Sequence, residues 1–438
     1  MKRTVIFSML LCAFFMANAQ EKQQITKTGW NFGGLPTITF DSDLGFQYGA
    51  MVNVYHYGDG SRFPKYNHSL YFEVSRFTKG SGINRFFYDS DKLIEGLQTS
   101  LDLSYLSDQA YDFFGFNGYD AVYQPDWIDQ EASAYKTRMY YKYDQKLFRA
   151  KLDLQGKLAG NFRWTTGFNF QNFKVDEIDR DKFNKGKDEN DKDYLKPIDG
   201  LYTIYKNLGI INTEEKDGGF VPTFKAGLVF DTRDNRPNPM KGVWTEAVIE
   251  VAPKILGAES YFTRATFIHR QYFTIVPKDL SLVYRLAYQT TLGGDVPFFY
   301  KSQVMTSFMT GALSEGLGGG KTVRGILRNR VIGDGFFYGN LEARWKFVHF
   351  QFIKNNFYLG LNGFMDFGRI TKKVEIPSSI IAANPLLFKS DAEKFHTTYG
   401  AGLRIVMNEN FVIAVDYGRA MDEQDGKSGM YIGLNYLF

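Results

Sequence analysis

The chain has 438 residues, a formal charge of +4, 23% charged and 17% aromatic residues, and one cysteine. So small a net charge gives no nucleic-acid footprint, and a single cysteine excludes a disulfide framework. The aromatic share is high for a soluble protein.

From the N-terminus, residues 1–19 read as a secretory signal peptide. Lys2 and Arg3 form its positive start, residues 5–16 its apolar stretch, and Ala17-Asn18-Ala19 its cleavage site. The lone cysteine, Cys12, lies inside it with no lipobox before it. Beyond the signal no run approaches the ~18 apolar residues a membrane helix needs. Export, absence of cysteine, and abundant glycine and aromatic residues together point to an all-β fold, a bacterial outer-membrane β-barrel. The expected organisation is a signal peptide over residues 1–19, a short periplasmic segment over 20–30, and the barrel over 31–438.

A barrel strand alternates a greasy face with a wet one. In "LFRAKLDLQGKL" (147–158), Arg149, Lys151, Asp153, Gln155 and Lys157 share one face. Phe148, Ala150, Leu152, Leu154 and Leu158 share the other. A helix would scatter those charges, and a lipid-facing charge at mid-bilayer costs about 2–4 kcal/mol. The same alternation is read in "YKTRMYYKY" (135–143), "GNLEARWKF" (339–347) and "FVIAVDYG" (411–418).

In chain order, strands are expected near 33–40, 45–56, 68–78, 97–106, 133–143, 146–158, 162–175, 222–231, 243–252, 261–275, 281–291, 336–350, 356–370, 397–407, 411–420 and 429–438. That makes about sixteen, an even number as bacterial barrels require. With both barrel ends in the periplasm, the long connections 176–221, 292–335 and 371–396 fall outside the cell. One connection breaks the rule: 107–132 would be a long periplasmic turn.

The inward face reads as basic: Lys136, Arg138, Lys142, Arg149, Lys151, Lys157, Arg285, Arg344, Lys346 and Arg404. Fewer acids face them: Asp153, Glu246, Glu250, Glu342, Asp366 and Asp416. Either these charges pair inside a plugged barrel, or they give an open pore an anion preference.

Enzyme chemistry finds no support. His56, His68, His269, His349 and His396 are scattered, with no serine nucleophile at recognisable spacing. No metal-ligand spacing occurs, and the acidic run 187–193 fails the calcium-loop pattern because Lys192 stands at a ligand position. No cofactor is expected.

The segment "GGGKTVRGILRNRVIGDG" (318–335) begins like a phosphate loop. The first glycine of such a loop would fall at 315, which is Glu315, and no helix follows Thr322. The nucleotide reading fails. The segment instead resembles the Gly-rich, V-R-G-bearing sixth extracellular loop of the BamA/TamA outer-membrane assembly and secretion superfamily, the bacterial surface antigen type. "DTRDNRPNPMKG" (231–242), "GNLEAR" (339–344) and "GFMDFG" (363–368) resemble three further family motifs in the same order.

The resemblance implies that the sixth loop folds back into the barrel. It implies that Val323, Arg324 and Gly325 anchor it, with Arg324 against Glu342 and Asp366. Ile326 departs from the aromatic usual after V-R-G. The end of the chain, "YIGLNYLF", resembles an outer-membrane insertion signal through Tyr431, Gly433, Tyr436 and Phe438.

Expected partners are outer-membrane lipid, the outer-membrane assembly machinery with this chain as its client, and a separate periplasmic protein. The last would replace the family's periplasmic POTRA domains, for which about ten residues before the first strand leave no room. The expected function is insertion or translocation of proteins or lipids at the outer membrane. The alternative is a passive pore or structural surface antigen.

Overall fold

A computed structural model describes residues 24–41, 45–78, 80–309 and 316–438. The signal-peptide reading lies outside the described residues. Among the described residues no helix is long and apolar enough to cross a membrane. The architecture is one antiparallel sheet of sixteen strands in sequence order, a transmembrane β-barrel.

The strands are β1 (Trp30–Asp41), β2 (Gly45–His56), β3 (His68–Phe77), β4 (Gly82–Ile94), β5 (Leu97–Asp112), β6 (Lys142–Ala159), β7 (Phe162–Asp176), β8 (Gly218–Asp231), β9 (Gly242–Ala252), β10 (Phe262–Val276), β11 (Leu280–Gly294), β12 (Gly335–Phe352), β13 (Asn355–Lys372), β14 (His396–Met407), β15 (Phe411–Ala420) and β16 (Ser428–Leu434).

The alternation rule explains the wall. In β6, Arg149, Asp153 and Gln155 are buried toward the lumen, while Phe148 and Leu152 are exposed on the outside. Opposite them in register stand Ser104, Ser100 and Gln98 of β5, also buried. Phe168, Leu228, Phe267, Leu341, Leu361 and Leu403 continue the outer apolar belt. A bilayer accepts this face because consecutive strands pair their backbones along most of their length, with only local bulges.

Two strand expectations need correction, and their errors cancel in the count. Residues 133–143 are not a strand: they are turns up to the start of β6. Lys136 does not face the lumen but lies 3.4 Å from the Trp127 ring centre, a cation–π contact inside the loop. Arg138 lies on the same loop, and Lys142 pairs with Asp112 at 3.0 Å at the barrel's edge.

The strand that was missing is β4. It carries Asn84 and Ser90 on the outer parity and Ile83 and Phe87 on the inner, so its alternation is blurred. With β4 in place, the 113–141 connection moves to the extracellular end. The one apparent exception to the long-outside, short-inside rule disappears.

The long connections close the extracellular end. Phe113, Phe116, Trp127, Tyr140, Tyr202, Tyr205, Phe298 and Phe388 come from four different loops and form one buried aromatic cluster. The charges of the lumen pair with one another, in favour of the plugged reading. Arg149 meets Asp102, Lys151 and Lys225 share Asp153, Arg264 meets Glu250 and Arg270 meets Glu246.

Candidate functional site

The sixth extracellular loop, between β11 and β12, enters the lumen as a narrow hairpin closed by the bridge Leu317–Val331. Leu317, Val323, Ile326 and Val331 are buried against Ile268, Ala287, Phe336, Tyr338 and Ile370 of the wall. Ile326, in place of an aromatic residue, is fully accommodated in this aliphatic cluster.

The glycines serve the descent. Gly318 has φ +127°, and a Cβ there would stand 2.1 Å from the Leu327 carbonyl oxygen. Thr322, which a phosphate loop would turn toward a metal ion, instead faces this turn. Its hydroxyl accepts from the Gly318 N–H at 3.0 Å and lies 3.0 Å from the Gly316 carbonyl.

Arg324 stands at the loop tip with no exposure at all. Its Nε and Nη2 donate to the two oxygens of Asp366 at 2.8 and 2.9 Å, and its backbone N–H donates to Asp366 Oδ2 at 3.0 Å. Nη1 lies 2.7 Å from Glu342 Oε1 and 3.4 Å from Asp416 Oδ2. The guanidinium also stacks 3.5 Å over the Phe364 ring. The planar fork of arginine fits this arrangement and an ammonium group would not.

Two further cations complete the cluster. Arg344 Nε holds Glu342 at 2.7 Å, and Arg404 binds Asp416 through two bonds of 2.8 and 2.9 Å. Three acids thus face three arginines. The two acids expected from sequence are both in place. Asp416 was read as lumenal, but its contact with the loop is an addition.

Backbone packing fixes the depth of the tip. Gly400, Gly418 and Gly429 stand in one register row across β14, β15 and β16. A Cβ on Gly418 would come within 2.8 Å of the Arg324 carbonyl carbon, and one on Gly325 within 2.7 Å of the Arg419 nitrogen. The loop backbone therefore lies directly on the β15 backbone. Gly400 makes room for the Phe364 ring, and Gly429 for the Tyr431 side chain, whose hydroxyl accepts from the Gly325 N–H at 2.9 Å.

Two more arginines of the loop were not singled out from sequence. Arg328 bonds Asp108 and Asp112 of β5 at 2.8 and 2.7 Å, on a different part of the wall. Arg330, fully buried, donates to the carbonyls of Gly118, Ala121 and Gln424 at 2.9, 3.0 and 2.6 Å. The spacing of arginines at 324, 328 and 330 in one loop was the available signal. Their acceptors are mostly backbone carbonyls and strand-end acids, which carry no motif.

The seam between the first and last strands is built differently from the rest of the wall. Among the described residues no ladder joins β1 to β16. β16 pairs with β15 only from Ser428 to Leu434. Asn435, at φ +71°, then turns the chain into the lumen. There Tyr436 stands 3.5 Å from the Tyr358 hydroxyl, and the Phe438 backbone oxygen accepts from Arg344 at 2.9 Å.

With β16 gone from the wall, the outward-facing Phe411 of β15 packs on the lumen side of Gly33 in β1, where an added Cβ would meet its ring at 2.7 Å. Ile413 and Leu434 pack against the same cluster, which Tyr55 and Tyr57 share with Phe411. The first strands lap over the outside of the last ones. Side-chain hydrogen bonds hold the overlap: Tyr55 donates to the Asn410 carbonyl at 3.0 Å, and the Asn410 amide donates to the Tyr57 hydroxyl at 2.9 Å.

Of the four signature residues near the chain's end, Tyr431 and Gly433 stand in β16, and Tyr436 and Phe438 lie inside the barrel.

A model of the Omp85 superfamily domain matches residues 63–438. Among solved structures, the fold is similar to BamA from Haemophilus ducreyi lacking POTRA domains 1-3, at 14% identity and a TM-score of 0.50, covering 93% of this chain and 69% of that one. It is also similar to CdiB from Escherichia coli, at 10% identity and a TM-score of 0.53, covering 92% of this chain and 61% of that one. This chain therefore spans less than two thirds of the CdiB chain. No curated protein sequence matches it. The family match over most of the chain, together with the lumenal loop and its arginine anchor, leads to one conclusion: the chain belongs to the Omp85 superfamily, as an outer-membrane β-barrel.

Proposed function

We propose that this barrel inserts or translocates polypeptide or lipid at the outer membrane by opening at the β1/β16 seam, and that it catalyses no covalent chemistry. The observation that carries the reading is the seam itself. Fifteen strand pairs are zipped by backbone hydrogen bonds, and the sixteenth junction is held by an aromatic overlap and a few side-chain bonds. Parting it leaves the ladders intact. The sixth loop supports the reading, because it fills the lumen while touching β15 and β16, the strands beside that seam.

A passive pore is the competing role. It fits poorly with a lumen occupied by the sixth loop and a dome of packed aromatics. The signature of Tyr431, Gly433, Tyr436 and Phe438 fits a chain that is itself a client of the assembly machinery. That signature is partly buried once folding is complete, so it would be read on the unfolded chain.

The test is to lock the seam. Beyond the signal segment the chain has no cysteine, the single one being Cys12. Gly33→Cys with Phe411→Cys, joined by a short bis-maleimide, should abolish insertion or secretion of client proteins, while the same double variant left uncrosslinked keeps it. Full transport through the locked barrel would sink the proposal. A large, steady conductance in planar bilayers would favour the passive pore.

A further inference from the structure

The lumen pairs its cations with acids over most of its height, but the rule breaks at the periplasmic mouth below β5 to β8. Lys157 of β6 stands directly opposite Arg163 of β7 in register, with Val229 of β8 on the other side of Arg163. Like charges directly opposite one another destabilise an antiparallel pair. Neither has a carboxylate partner among the described residues.

A third cation arrives from the β8–β9 turn. Arg236 Nη1 donates to Gln98 Oε1 at 2.7 Å. Gln98 stands opposite Gln155, which is two positions before Lys157 on the same face. Arg236 thus spans the strand ends above the Lys157–Arg163 pair and binds a neutral amide, not an acid. The adjacent carboxylate of Asp231 is already taken by Arg233 through bonds of 2.9 and 2.8 Å.

Two more cations stand beside them on the β2–β3 turn. Arg62 and Lys65 both bind the one carboxylate of Asp91. Asp89, next on the same face of β4, accepts from the Tyr66 hydroxyl and the Gln98 amide at 2.6 Å each. With Arg233 and Asp231 matched to each other, five cations and two acids remain at this side of the mouth.

We propose that this cluster is a docking site for an acidic polypeptide segment that approaches from the periplasm. The cations are on the lumen side. The lipid side of the same strands is marked by Leu158, Phe162 and Leu228, exposed by 58, 49 and 50%. A lipid headgroup in the surrounding leaflet faces that apolar surface and is separated from the cations by the wall. Lys157 is exposed and Arg163 half-exposed, so a chain end or loop entering the mouth reaches them. The proposal takes the transport reading as its setting but does not need it, because binding is measured without transport.

The experiment uses the full chain in detergent and a fluorescein-labelled peptide of ten alternating Asp and Glu residues, followed by anisotropy. Binding should weaken at least about tenfold between ~0.05 M and ~0.5 M salt. The triple variant Lys157→Gln, Arg163→Gln, Arg236→Gln should lose at least about tenfold in affinity, and Arg163→Lys should stay within about twofold of the parent. Removing mutually repelling charges should not unfold the barrel, which the shift between heated and unheated gel mobility checks.

Equal binding of an Asn/Gln peptide, or no loss in the triple variant, overturns the proposal. So does a charge dependence seen only with anionic phospholipid nanodiscs. If peptide binding holds while the locked seam still transports clients, the docking site stands and the transport mechanism falls.

Discussion

Arg324→Ala is the most informative perturbation of the lumenal anchor, and its cost follows from which acids lose their last cation. Glu342 keeps Arg344 at 2.7 Å, and Asp416 keeps both bonds to Arg404. Asp366 keeps no ion pair among the described residues, because its three bonds all come from Arg324. Only the backbone N–H at position 324 would remain to it. Stranding one buried carboxylate in this way costs about 3–5 kcal/mol.

The prediction has an internal control. Arg324→Ala combined with Asp366→Asn removes the stranded charge and should regain about half or more of the loss, a coupling of the size seen for residues in one network. The assay is reversible urea unfolding in detergent micelles followed by tryptophan fluorescence, with protease sensitivity of the sixth loop as a second reading. A change within about 0.5 kcal/mol for Arg324→Ala, the range of an ordinary surface substitution, would falsify the anchor. Equal losses for the single and double variants would show that the fork holds the loop by shape and not by charge.

Further outcomes are expected. Gly418→Ala should cost about 1–3 kcal/mol and raise protease access to the sixth loop, since its Cβ would press on the Arg324 and Gly325 backbone. Gly433→Ala, whose Cβ would meet nothing within 4 Å, should stay within about 0.5 kcal/mol in the same titration. Arg330→Ala leaves the Ala121 and Gln424 carbonyls without their donor, while the Gly118 carbonyl keeps the Ala121 N–H, and should open the extracellular cap to surface proteases, at about 1–3 kcal/mol per buried acceptor left bare.

Lys373 in the β13–β14 loop has its pKa raised, first by its 2.6 Å bond to Asp120. The stability it lends is therefore full below the ordinary lysine value and lost as pH rises through the raised one. Proteolysis of that loop should increase only above about pH 10.4, the ordinary value, and a change near neutrality would refute the assignment.

What the sequence disclosed depended on whether two faces of a segment differ. β6 and β12 face lipid on one side and a charged lumen on the other, so their parity is visible residue by residue. β4 mixes both kinds on each face, and its only trace was indirect: an apparently long periplasmic turn that broke the topological rule. The false strand at 135–143 shows the opposite failure. Alternating tyrosines and cations mimic a barrel strand, yet here they build an aromatic cap in which Lys136 lies on Trp127. Glu342 and Asp366 were readable because motif and parity agreed on them. Arg330 was not, because its partners are main-chain carbonyls brought together from two other loops. The overlap at the seam was invisible for a similar reason: Phe411 has the outward parity of a lipid-facing residue, and only the inward turn at Asn435 places another strand over it.

That overlap gives the barrel a property a fully zipped cylinder lacks. The girth of a closed cylinder is set by its number of strands and their stagger, and any change breaks a row of backbone hydrogen bonds. A sheet rolled past its own edge behaves like a hose clip. Its bore can widen or tighten as Gly33 slides over Phe411, with the strand count unchanged.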